Sequence, residues 1–113
     1  MFKIYHNPRC KKSRAGLQYL RDNGIEPEIV EYLKNPVTEK EFEGLLVRLH
    51  KKPEEMVRTQ ESYYKSELKG RKFNDREWVR ILVENPKLIR RPIVVKGPKA
   101  VVGDPVSDID ILL

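Results

Sequence analysis

The chain has 113 residues, 39% hydrophobic and 35% charged, with a formal net charge of +6. That length gives one domain with one modest core, and the balance is that of a soluble globular protein. No apolar run approaches the roughly 20 residues needed to cross a bilayer, the N-terminus lacks a charged-then-apolar signal pattern, and a single cysteine excludes an internal disulfide framework.

The expected compartment is therefore the cytoplasm. The positive charge suits an anionic ligand. It is dispersed, however, without a block of five like charges and without a zinc-finger or RNP-like motif. It reads as solvated surface plus a local anion site. Neither nucleic acid nor a membrane is an expected partner, and no metal site is expected.

In chain order, "FKIY" is a first strand. From Lys11 to about Asn23 only Gly16 interrupts a loosely amphipathic helix carrying Ala15, Leu17, Tyr19 and Leu20, and Asn23–Gly24 is its stop. "EIVEY", entered through Pro27, is a second strand. Because the crossover between these strands is a helix, they should run parallel. Thr38 and Glu41 form a capping box, and Phe42, Leu45, Leu46 and Leu49 follow on one buried helical face. Pro53 to Leu68 reads as short helices. Asn74 and Glu77 cap a further helix with Trp78, Ile81 and Leu82 on one face, closed by Pro86. "PIVV" and "AVV", joined by "KGPK", give a hairpin, and "PVSDIDILL" a last helix. The order β-α-β, helices, β-β, α fits an α/β chain of thioredoxin-like type. The expectation is one domain over residues 1–113, a four-stranded mixed sheet flanked by helices, with helices filling roughly 38–86 between the second strand and the hairpin.

The only cysteine, Cys10, lies in "YHNPRCKKSR" among Arg9, Lys11, Lys12 and Arg14. If the first helix starts just after it, free N–H groups and the positive end of the dipole face the sulfur. A thiolate is favoured there over the thiol, and nearby cations act in the same sense. The same geometry holds an oxyanion. A lone cysteine is more often buried and inert, but the polar, basic flanks weigh against that here. A Cys–X–X–Cys pair fails because residue 13 is Ser13, and a Cys–X5–Arg phosphate loop fails because Gly16 stands where the arginine belongs. Ser13 either hydrogen-bonds the thiolate or is a first-turn helix residue. His6 either tunes the thiolate or is structural. Lys11 and Lys12 read as exposed helix-start charges.

"IYHNPRCKKSR", "NGIEPEIVEYL", "VRTQESYYK", "ENPKLIRRPIVV" and "GDPVSDIDILL" together resemble the glutaredoxin-dependent arsenate reductase family, in order and across almost the whole chain. The resemblance implies a thioredoxin-like fold with an inserted helical region and an enzyme whose cysteine, Cys10, attacks arsenate. It implies glutathione as co-substrate, glutaredoxin as protein partner and no bound cofactor. It also implies an arginine triad around the oxyanion. The first arginine falls on Arg58 and the second on Arg91, chosen over Arg90 because it directly precedes Pro92, which is typically cis in this fold. Arginine suits the task because its planar fork grips two oxygens of a tetrahedral anion. The third position departs from the family: "GRP" reads "GDP", with Asp104 in the arginine's place. Asp104 before Pro105 is expected to cap the last helix.

Two other readings stand beside the reductase. One is a thiol reductase of the same fold acting on another substrate, such as a glutathione mixed disulfide. The other is a regulator of the Spx type that binds RNA polymerase. Ser13 argues against a disulfide switch, and the pair Arg58 and Arg91 favours an enzyme.

Overall fold

A computed structural model describes all 113 residues. The chain divides into two compact units, one made of Met1–Asn35 with Arg91–Leu113 and the other of Pro36–Arg90. The segment expected as a helical insertion lies within the second unit.

The first unit is built on a four-stranded sheet of order β2-β1-β3-β4, comprising β1 (Phe2–Tyr5), β2 (Glu28–Val30), β3 (Ile93–Lys96) and β4 (Lys99–Val102). β1 and β2 are parallel, with Ile4 opposite Ile29, and helix α1 (Lys11–Asp22) is their crossover. β1–β3 and β3–β4 are antiparallel, so the sheet is mixed as the element order requires. The second strand is shorter than "EIVEY" suggests, because pairing with β1 stops at Val30. The β3–β4 turn runs through Gly97, whose positive φ of 57° suits a residue without a Cβ.

Helix α1 ends in a Schellman motif. The N–H of Ile25 reaches Leu20 O at 2.9 Å, that of Gly24 reaches Arg21 O at 3.0 Å, and Gly24 takes φ 78°. Its inward stripe is Ser13, Gly16, Leu17 and Leu20. Ala15, expected on the apolar face, is exposed, and Tyr19 is half-buried. Hydrophobicity alone misses this stripe, since half of it is small or polar. Leu17 and Leu20 pack with Ile4 of β1, Val94 of β3 and the C-terminal Ile109 and Leu112 into one core.

The last helix is a 3-10 helix, Val106–Leu112, whose N-cap position is Pro105 and which has no side-chain cap. The capping role expected of Asp104 is therefore corrected. Asp104 lies one residue too early, and its peptide bond to Pro105 is cis.

The second unit holds α2 (Glu39–Leu49) packed on α3 (Asp75–Glu84). Thr38 Oγ1 accepts from Glu41 N–H at 3.0 Å. Asn74 and Glu77 close a full capping box, at 2.8 and 2.9 Å. Phe42, Leu45, Leu46 and Leu49 of α2 are buried, as are Trp78, Val79 and Leu82 of α3. Ile81, expected inward, is half-buried, its place taken by Val79. Between the two helices run a 3-10 turn at Pro53–Met56 and a wide helical turn at Tyr64–Leu68; a second 3-10 turn, Pro86–Leu88, follows α3. No helix is long and apolar enough to cross a membrane.

Candidate functional site

Cys10 is the N-cap residue of α1, in extended conformation at φ −94° and ψ 124°. Its carbonyl accepts the first helical bond, from Arg14 N–H at 3.0 Å, and its own N–H is spent on Asn7 O at 3.0 Å. The side chain is half-buried. Burial alone pushes the thiol pKa up. The guanidinium of Arg91, within hydrogen-bonding reach, and the backbone N–H groups of Ser13 and Lys12 act against it, and the balance leaves Cys10 below its ordinary value. Neither N–H closes a full capping bond with the sulfur. Their effect is that of a positive field at the helix start rather than of a short directed bond.

The loop ahead of α1 is fixed by buried polar contacts. Ser13 is fully buried, and His6 and Asn7 are nearly so. Ser13 Oγ accepts from Asn7 N–H at 2.9 Å and lies 2.6 Å from His6 Nδ1. The hydroxyl is thus committed to the strand-to-helix loop, and it is the Ser13 backbone that faces the sulfur. Burial lowers the His6 pKa, helped by the charges of Arg21 and Arg14 and opposed by Glu31. Burial thus favours the neutral ring. Asn7, not singled out from the sequence, adds a further tie through Oδ1 to Arg9 N–H at 3.0 Å. "NP" before a helix start was its only signal.

Arg91 precedes a cis peptide bond to Pro92. The carbonyl of Pro92 accepts from Gly103 N–H at 2.9 Å, which ties this turn to the end of β4. On the other side the Pro92 ring meets α1 so closely that a Cβ at Gly16 would stand 2.6 Å from Pro92 Cγ. Gly16 is thus what lets the helix carrying Cys10 approach the turn carrying Arg91, a role the sequence marks only as an isolated glycine inside a helix. Arg90 is engaged elsewhere, donating to Glu55 O at 3.3 Å. That separates it from Arg91, which faces the sulfur.

Asp104 is directed at α1, where Oδ2 lies 3.0 Å from Lys12 Nζ. Lys12, expected as a plain surface charge, has this specific partner while keeping 57% of its side chain exposed. Cys10, Arg91, Pro92, His6, Ser13, Lys12 and Asp104 all belong to the first unit. Arg58 belongs to the second. Its backbone is anchored by an antiparallel bridge, Val57 to Ile89, and by its N–H on Leu88 O at 2.7 Å. Its side chain is only 16% exposed and pairs with Glu61 at 3.4 Å. No group of three or more His, Cys, Asp and Glu side chains gathers to hold a metal ion.

The ArsC family model matches residues 5–112. YfgD of Escherichia coli K12 is 43% identical over 105 residues, covering 91% of this chain and 88% of its own. The protein named arsenate reductase in Neisseria meningitidis strain MC58 is 36% identical over 113 residues, covering 98% and 97%. The structure of an arsenate reductase from Vibrio cholerae superposes with a TM-score of 0.93 at 35% identity, over 99% of this chain and 97% of that one. By sequence over nearly all its length, and by fold, the chain belongs to the ArsC family.

Proposed function

We propose that the chain is an arsenate reductase whose nucleophile is Cys10. The observation that carries the reading is Cys10 at the start of α1, with Arg91 in reach of its sulfur and the thiol pKa lowered despite burial. The relatives named arsenate reductase supply the substrate.

In the first step the Cys10 thiolate bonds to arsenic. One arsenate oxygen takes up two protons and leaves as water, so arsenic(V) is held as a thiol ester. Arg91 neutralises charge on the remaining oxygens. Glutathione then adds its thiol. Two thiol electrons reduce arsenic(V) to arsenic(III), the two sulfurs are left as a disulfide, and arsenite departs. Glutaredoxin reduces that disulfide by exchange. One cysteine suffices on this route, because the other thiols come from outside. No bound cofactor is needed, and the compartment is the cytoplasm, where those thiols are kept reduced.

The test is NADPH oxidation coupled through glutathione and glutaredoxin. Arsenate should drive it, and Cys10→Ser should abolish it. No arsenate-dependent oxidation at high substrate would sink the reading. A second reading, reduction of a glutathione mixed disulfide, is favoured by Asp104, which leaves the site one cation short. Turnover of such a disulfide without turnover of arsenate would establish it in place of the first.

A further inference from the structure

We infer that Asn7 is a positioning residue for Cys10, its three hydrogen bonds holding the strand-to-helix loop so that the sulfur rests over the first N–H groups of α1. The inference rests on the reading above only in taking Cys10 as the reacting group.

Asn7 Oδ1 accepts from Arg9 N–H at 3.0 Å, Asn7 O accepts from Cys10 N–H at 3.0 Å, and Asn7 N–H donates to Ser13 Oγ at 2.9 Å. The first bond makes an Asx turn, in which the side chain stands in for backbone and fixes the residue two places on. The second spends the Cys10 amide upstream and leaves Cys10 as the N-cap of α1. The third ties the residues after β1 to the first turn of the helix. The stretch from Asn7 to Cys10 is thus closed on Asn7 at both ends. Asn7 is only 6% exposed and Ser13 is fully buried, so water replaces a lost bond poorly.

Placement matters because the sulfur is held by a field. Burial of the thiol is offset by Arg91 and by the N–H groups of Ser13 and Lys12. The field of a helix start falls off within its first turn, so a small displacement of Cys10 weakens these contributions together. Asn7 carries no charge and acts on the sulfur only through the loop. The charged and titratable groups around that loop are Arg91, the Lys12–Asp104 pair, Arg14 on Pro8 O, and His6. A substitution at 7 leaves all of them in the chain.

The test is the pH dependence of Cys10 alkylation by iodoacetamide in the full chain, read beside denaturant unfolding. Asn7→Ala removes the acceptor for Arg9 N–H. Its alkylation midpoint should move up, and its rate at neutral pH should fall about three- to tenfold. Asn7→Ser, whose hydroxyl makes the same turn more weakly, should fall between Asn7→Ala and the parent. A merely structural role would lower stability and leave the alkylation midpoint in place, and that result overturns the inference. Where Asn7→Ala does not fold, Asn7→Ser decides alone: an upward shift supports the inference and an unchanged midpoint overturns it. The reductase reading is judged separately, by arsenate turnover of the unsubstituted protein in the coupled assay. Alkylation uses no arsenate, so either can fail with the other left standing.

Discussion

Lys12 Nζ and Asp104 Oδ2 lie 3.0 Å apart, joining the second residue of α1 to the second residue past the end of β4. Where the family resemblance leads one to expect an arginine, the chain has a carboxylate, and that carboxylate holds a lysine beside the helix start. The pair is well exposed, so it adds little stability, about 0–1 kcal/mol. Its consequence is electrostatic, for it removes free positive charge from the neighbourhood of Cys10.

Asp104→Arg should therefore raise kcat/KM for arsenate roughly ten- to hundredfold, the worth of one charge-assisted bond to a transition-state anion. Asp104→Asn should give a smaller gain, and that gain should shrink when Lys12 is also replaced by Met. Steady-state kinetics on the parent, the two Asp104 variants, Lys12→Met and the Asp104→Asn/Lys12→Met double variant checks this. Equal gains with and without Lys12 would mean that Asp104 acts by direct repulsion alone.

Arg91→Gln removes both the hydrogen bond to the sulfur and the nearby charge, while burial of Cys10 remains. The thiol pKa should rise, and alkylation of Cys10 at neutral pH should slow several-fold. A pH series of alkylation rates reads the shift directly, and its midpoint should move up.

Gly16→Ala places a methyl 2.6 Å from Pro92 Cγ, closer than real contacts permit, and neither the proline ring nor the helix backbone yields easily. The substitution should cost about 1–3 kcal/mol of stability, as overpacking does. It should also lower activity by pushing α1 from the Arg91–Pro92 turn. Denaturant unfolding and the coupled assay measure the two effects.

His6 has its pKa lowered by burial, so the unfolded chain binds the proton more readily than the folded one. Stability from this group is full above the unfolded value of about 6.5 and is lost as pH falls from there towards the folded value. The melting temperature should drop between pH 7 and pH 5, and less steeply in His6→Gln. Thermal melts across that range test it.

Much of the fold was legible because its signals are local. The full capping box at Asn74, the Thr38 side-chain cap on Glu41 N–H, the stop at Asn23–Gly24 and the turn at Gly97 each act within a few residues, where the local sequence signals place them. The parallel β1–β2 pair followed from the helix between them. The inner face of α1 was harder to read, because Ser13 and Gly16 are inward for reasons that lie elsewhere in the chain. Ser13 ties the loop of His6 and Asn7, and Gly16 makes room for Pro92. The same holds for Asp104. Adjacency to Pro105 suggested a helix cap, whereas the actual partner, Lys12, is remote in sequence and invisible to any local rule.

The central claim is that Cys10 is a thiolate nucleophile beside an oxyanion site. The most direct test is the pH dependence of Cys10 alkylation by iodoacetamide, with and without arsenate. The account predicts a midpoint below the free-thiol value of about 8.5 and slower alkylation when arsenate occupies the site. A midpoint at or above that of a free thiol, with no protection by arsenate, would contradict it.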